Sequence, residues 1–252
     1  MQLHQALDIR LGEMAALIGA GGKTTTMFRL AQELRAEGKK ILATTTTKIY
    51  KPRKPHVDRL FLVDDIDSFI ELCRDIPSPA VLGAGTSVGP DEKLSGLPSA
   101  WLDRLSEMAL LDAILVEADG AASRLFKVPG DDEPVIPARC QSVIWLMALA
   151  VLGQPLDGAS IHRAERAMAL LACPAGTIIT EDLIVQLIRH PAGCWKGIPP
   201  TSRKIAVINQ VDSTKDAVRA SVLGKKLLGS GAERVVLTSH RSEDPVIDVL
   251  QH

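Results

Sequence analysis

The sequence predicts a three-layer α/β fold: a mostly parallel sheet flanked by helices, with a small helical insertion. Short runs that are apolar throughout recur along the chain, as expected of strands covered on both faces. Amphipathic stretches of helical period separate them, which implies parallel strands joined by right-handed crossovers. Between the first apolar run and the first helical pattern stands GAGGKTTT, residues 19–26, at the place where a phosphate-binding loop belongs.

The first strand is expected at 14–18 (MAALI). A helix at 25–37 follows, with Met27, Phe28, Leu30, Ala31 and Leu34 on one side and Gly38 just beyond as a C′ residue. Strands at 41–44 (ILAT), 59–63 (RLFLV) and 80–83 (AVLG) come next, the last two separated by a helical pattern at 66–74. A helix at 101–108 leads into strands at 113–117 (AILVE) and 142–147 (SVIWLM). Helical patterns at 162–171 and 181–189 then follow one another without a strand, so a helical subdomain is expected over about 158–200. The alternation resumes with a strand at 204–208 (KIAVI), a helix at 214–228 and a strand at 234–238 (RVVLT). Two connections, 83–99 and 118–140, are long and rich in Gly, Pro and charge, as functional loops often are. The 252 residues are read as one domain.

Composition narrows the function classes. The 46% apolar and 23% charged fractions are those of an ordinary soluble protein, and a net charge of -1 argues against nucleic-acid binding. The N-terminus has no basic region followed by an apolar core, and the longest apolar run, 143–152, is too short to span a bilayer. Cys73, Cys140, Cys173 and Cys194 show no C-x-x-C pair, so reduced thiols and a cytoplasmic location are expected, without membrane partners.

Nucleotide phosphates need backbone N–H groups at close range, a helix N-terminus and a full positive charge. Gly19, Ala20, Gly21, Gly22, Lys23, Thr24 and Thr25 supply these in order, in a loop shorter than the usual one, since Leu17 stands where a distal glycine would be. A glycine-rich turn with a solvated lysine is the alternative, but a lysine at a helix start is unfavourable unless an anion offsets it. Thr24 then carries the hydroxyl for Mg²⁺. In ATTTTKIY (43–50), Thr45 and Thr46 stand at a strand's end, where hydroxyls reach the phosphate or the metal shell. In VEADG (116–120), Glu117 and Asp119 share a face at another strand's end, as a Walker-B-like element requires. Asp119 is assigned to the metal shell beside Thr24, with Glu117 the other candidate. Lys23, Glu117 and Asp119 form the expected catalytic set.

The stretch VINQVD (207–212) is a buried strand running into N-x-x-D, with Asn209 and Asp212 in the positions that read a base in GTPases. Gln210 replaces the usual lysine there. A further strand ends in Thr238-Ser239, where GTPases carry another base-contacting turn. The basic stretch KIYKPRKPH (48–56) is either a solvated loop or a seat for a second anionic ligand such as a pterin phosphate.

Taken together, LIGAGGKTT, ATTTTKI, VEADGAA, DEPVIP, IHRAE and GIPPTSRKIAVINQVD, in that order, resemble the YqeC family, accessory proteins of selenium-dependent molybdenum hydroxylases. The resemblance covers about residues 14–240 and departs from the family pattern at Gln210, where a lysine is usual, and at Asp132, where a histidine is usual. It implies a P-loop NTPase fold and a role in maturing selenium-dependent molybdenum enzymes, with a molybdenum hydroxylase or cofactor-synthesis protein as partner; the residues themselves point to a nucleoside triphosphate (GTP or ATP) bound with Mg²⁺. The reaction expected is slow NTP hydrolysis. A Mur-type ATP-dependent ligase, which has a similarly short loop, and a nucleotide-gated binding module without turnover are the rivals.

Overall fold

The computed structural model describes residues 1–251. The elements run α1 (Leu3–Ala6), β1 (Glu13–Gly19), α2 (Lys23–Ala36), β2 (Lys40–Thr45), β3 (Lys48–Tyr50), β4 (Arg59–Leu62) and α3 (Ile66–Asp75). Then come β5 (Ala80–Gly85), β6 (Ser87–Val88), β7 (Lys93–Ser95), α4 (Ser99–Glu107), β8 (Ala113–Glu117), β9 (Phe126–Lys127) and β10 (Ser142–Ala148). The chain finishes with β11 (Ile161–His162), α5 (Ala164–Leu171), α6 (Glu181–Arg189), β12 (Arg203–Asn209), α7 (Thr214–Leu228), β13 (Arg234–Thr238) and β14 (Val246–Gln251).

Among the described residues, nine strands form one sheet in the order β14-β13-β12-β10-β1-β8-β2-β5-β4. Every pairing in it is parallel except β13–β14, so the C-terminal ends of the other strands share one edge. β1 sits in the middle, and the chain leaves it for β2 on one side and later reaches β10 on the other. Such a reversal of strand order opens a crevice at the C-terminal edge, the usual place for a ligand in this architecture.

The two faces are covered because β1 alternates across the sheet. Met14, Ala16 and Ile18 enter a core shared with α3 to α7, whereas Ala15 and Leu17 enter a second core under α1 and α2. This is the three-layer α/β fold expected. Side chains close the N-termini of three helices: Asp65 accepts from the Ser68 amide, Thr180 from Leu183 and Ser213 from Asp216. Helix α2 has no such cap; its N-cap is Gly22.

All eight expected strands are present. The structure adds an antiparallel edge strand, β14, and a small antiparallel sheet in the order β3-β7-β6, built partly from the long 83–99 connection. The helix expected from residue 162 begins at Ala164 instead. Ile161 and His162 pair with Phe126 and Lys127, and Arg163 adopts a left-handed conformation (φ 64°) before the helix starts. Among the described residues no helix is long and apolar enough to cross a membrane. All four cysteines are free, and Cys140 lies buried, its thiol pushed up to about 12 by that burial.

Candidate functional site

The turn from β1 into α2 is glycine-dependent. Gly21 has φ 76°, and a Cβ there would lie 2.4 Å from the Ala148 nitrogen; at Gly22 (φ 135°) it would lie 2.4 Å from Asn209 Nδ2. The turn's amides divide into two groups. Those of Gly19, Ala20 and Gly21 donate to Asp119 Oδ2 (3.0 Å), Leu146 O (2.9 Å) and Arg124 O (3.1 Å), so they hold the loop in shape. The amides of Gly22, Lys23, Thr24 and Thr25 meet no acceptor among the described residues. The first bonded amide of the helix is that of Thr26, to Gly22 O at 2.9 Å. Four unpaired donors at an uncapped helix start, with the partial positive charge of the helix end, can receive an anion.

Lys23 is buried beneath this turn. Its Nζ donates to Gly19 O (2.7 Å) and lies 3.0 Å from Asp119 Oδ1 and 3.7 Å from Glu117 Oε1. The Asp119 contact is a close ion pair without hydrogen-bond alignment, and Oδ1 has no hydrogen-bond donor among the described residues. Glu117 Oε2 accepts the Thr24 hydroxyl at 2.6 Å. The acid touching Thr24 is therefore Glu117, while Asp119, expected beside Thr24, stands against Lys23 and the Gly19 amide. Burial pushes the Glu117 carboxyl above its ordinary range, against the opposing pull of Lys23 and the Thr24 hydroxyl.

A second cation lies behind these acids. Lys127, wholly buried, has Nζ 3.3 Å from Asp119 Oδ2 and 2.7 Å from Glu133 Oε2, and donates to Gly120 O. Arg163 Nη1 completes the row at 2.7 Å from Glu133 Oε2. Burial works to raise the Glu133 pKa, but the Lys127 hydrogen bond and charge, with the Gly130 amide and Arg163, outweigh it and hold the carboxyl below its usual range. Opposite charges thus alternate from Lys23 through Asp119, Lys127 and Glu133 to Arg163. Nothing in the local sequence marks Lys127 for this position; Glu133 at least lies in the DEPVIP block.

The threonines after β2 are structural neighbours of this cluster. Thr45 donates to Glu117 O (2.6 Å), its oxygen also accepting the Thr47 amide, and Thr46 donates to Val135 O (2.7 Å). Thr45 thus ties the ends of β2 and β8 together, and Thr46 ties the end of β2 to the 118–140 connection. On the other side of β1, Asn209 Nδ2 donates to Gly21 O (2.8 Å) and its Oδ1 accepts from Thr238 Oγ1 (3.1 Å). Ser239 Oγ donates to Asp212 Oδ1 (2.6 Å), and Arg241 Nη1 lies 2.9 Å from Asp212 Oδ2. The next residue after Ser239, His240, lies with Nε2 2.9 Å from Thr26 Oγ1. The spacing after β13 points to Thr238 and Ser239 and goes no further, so His240 has no signal in the sequence.

These groups surround an open cleft of about 1270 Å³. Gly21 to Thr25 and Glu117 line its middle, Asn209, Asp212 and His240 one side, and Lys48, Tyr50 and Lys93 the other. Gly19, Ala20, Thr45, Thr46, Asp119, Thr238 and Ser239 support this lining from behind. No cluster of three or more His, Cys, Asp or Glu with metal-binding geometry occurs among the described residues. Mg²⁺ bound with a nucleotide needs only one or two protein ligands beside phosphate and water, and the Thr24 hydroxyl with Glu117 fits that requirement.

The family model described as "YqeC protein" matches residues 15–165 of the chain. An Escherichia coli (strain K12) protein described as "Uncharacterized protein YqeC" is 30% identical over 249 residues, an alignment spanning 92% of this chain and 91% of that one. Loop, acids and the DEPVIP block all lie within the matched region, and on these matches the chain belongs to the YqeC family.

Proposed function

We propose that the chain binds a nucleoside triphosphate with Mg²⁺ in this cleft, hydrolyses it slowly, and serves the maturation of selenium-dependent molybdenum hydroxylases. The observation that carries the nucleotide reading is the set of four unpaired amides from Gly22 to Thr25, set over Lys23 and beside the Thr24–Glu117 contact. The maturation role rests on the family resemblance, with a hydroxylase or a cofactor-synthesis protein as partner.

In this reading the four amides and Lys23 receive the β- and γ-phosphate oxygens. Lys23 leaves Asp119 for the stronger charge of the triphosphate, and Asp119 keeps Lys127 as counter-ion. Thr24 and Glu117 hold the metal, which when bound neutralises charge on the phosphate oxygens. Catalysis is then chiefly positioning and charge stabilisation. Asp212 faces the base, and Asn209 braces the loop from below. Gln210, in a left-handed conformation (φ 64°), lines the same side of the cleft.

A ligase-like second reading has one observation in its favour. The cleft volume of about 1270 Å³ exceeds the roughly 300–1,000 Å³ of a typical small-molecule pocket, leaving room beside the nucleotide. Purification with endogenous nucleotide retained, its identification, and a calorimetric competition between ATP, GTP and CTP with Mg²⁺ test the first reading. Binding of none of the three sinks it. Diphosphate release that requires an added carboxylate substrate favours the ligase.

A further inference from the structure

The cleft has a half that the nucleotide reading leaves unused. On the β12 and β13 side lie Asn209, Asp212 and His240; on the β2 side lies the small β3-β7-β6 sheet. β3 is tied to the phosphate centre through the strand end before it, where the Thr46 amide donates to Glu117 O at 3.2 Å. Within β3, Ile49 is buried against Leu94, so Lys48 and Tyr50 face outward together. Tyr50 pairs across the strands with Lys93, whose Nζ lies 5.5 Å from the centre of its ring. All three side chains line the cleft, and Tyr50 is 69% exposed.

The charges here are only partly met by the protein. Lys48 has no carboxylate within ion-pair distance among the described residues, and Lys93 has only the exposed Asp91 at 3.3 Å. Across the cleft Arg124, also without a carboxylate partner among those residues, is held in place by its bond to Ala159 O (3.0 Å). Lys48 and Lys93 thus stand with Tyr50 on one outward face of the small sheet, and Arg124 lines the opposite wall of the same cleft. An aromatic ring left open to solvent in the same compartment offers a stacking face.

We infer that this half of the cleft seats a second small ligand, one that joins a planar ring to a phosphate: the ring on Tyr50, the phosphate at Lys48 and Lys93. Two lysines on one face suit a dianionic phosphate better than a single carboxylate. The position lies on the far side of the phosphate centre from Asp212, so the second ligand and the base of a nucleotide do not compete for space. The place of this ligand in a reaction rests on the nucleotide reading; its binding does not.

Tyr50 is the single tyrosine of the chain, so fluorotyrosine labelling gives one ¹⁹F resonance that reports this compartment. With the protein saturated by a non-hydrolysable triphosphate and Mg²⁺, phenyl phosphate is expected to shift that resonance saturably, and benzyl alcohol is not. Lys48→Ala should weaken phenyl phosphate about tenfold, the loss of one charge-assisted contact, and leave triphosphate affinity unchanged. Absence of a saturable shift, or displacement of phenyl phosphate by the triphosphate, overturns the inference. If no triphosphate binds at all, the nucleotide reading alone fails. The same titration without nucleotide then decides, and equal affinity in the unmutated protein and Lys48→Ala rejects the second site.

Discussion

Lys23 Nζ and Asp119 Oδ1 lie 3.0 Å apart, both buried, so the cation of the 19–25 turn already has a partner inside the protein. On the proposed reading, triphosphate binding is an exchange of counter-ions that makes Lys23 at once ligand group and structural cation. Lys23→Ala should therefore do two things. Triphosphate affinity should fall at least tenfold, about 1.4 kcal/mol. Stability should fall by about 3 kcal/mol, because buried Glu117 loses its cation and buried Asp119 one of its two. Calorimetric titration and urea unfolding measure the two effects. Unchanged affinity in a folded variant would remove the phosphate-loop reading.

The two acids should separate in their dependence on metal. Glu117 touches Thr24, whereas Asp119 stands between Lys23 and Lys127. Glu117→Gln should reduce triphosphate affinity in Mg²⁺ by about tenfold and leave metal-free affinity nearly unchanged. Asp119→Asn should lower both, since it disturbs Lys23 and the Gly19 amide as well. Equal responses of the two variants to chelator would contradict this division.

Glu117 also makes a pH prediction. Its folded-state pKa is raised by burial, so its contribution to stability is full below the unfolded carboxyl pKa and is lost as pH rises through the folded value. Glu117→Gln removes that loss. The variant's stability relative to the unmutated protein should therefore rise steadily between those two pKa values, by on the order of 1 kcal/mol for each step of one in pH. Thermal melts at a series of pH values check it, and a flat difference would mean the carboxyl is solvated.

His240 titrates in the opposite sense. Burial, with the Arg29 charge adding to it, lowers its pKa from 6.5 to about 4. The unfolded chain binds the proton more readily, so the stabilisation is full above pH 6.5 and drains away as pH falls toward 4. His240→Gln retains a partner for Thr26 and should shrink this acid loss by on the order of 2 kcal/mol, allowing for the ring's partial exposure. Urea midpoints at neutral pH and near pH 4.5 provide the comparison.

Base choice should turn on Asp212, which is held by Ser239 and Arg241. A carboxylate accepts two N–H groups of guanine and finds none at the matching ring position of adenine. Asp212→Asn should shift preference from GTP toward xanthosine triphosphate, by a few kcal/mol at most if the site is dry. Parallel titrations of both nucleotides with both proteins measure it. Equal binding of ATP and GTP by the unmutated chain would show that Asp212 does not select the base.

Local pattern was enough to locate the eight strands of the main sheet's parallel part, and all six long helices to within two residues. β8 is AILVE with no polar interruption before its last residue, and α7 keeps its apolar side through Ala220, Leu223 and Leu227. The loop 19–25, the acids Glu117 and Asp119, and the pair Asn209 and Asp212 were legible for the same reason, because short spacings at strand ends require no knowledge of what lies across the sheet. Strand β14 was not legible: its residues are half exposed and lack the apolar run of a central strand. The start of α5 shifts because Ile161 and His162 are claimed by a pairing with residues 126–127, far away in sequence. Three features of the site were open until the chain was folded: which acid meets Thr24, which amides of the loop remain unpaired, and that Lys127 underlies Asp119. Those outcomes depend on strand order. β8 lies beside β1 and β2, and β10 lies on the other flank, so distances of a few ångströms are set between residues about a hundred positions apart, which local periodicity does not encode.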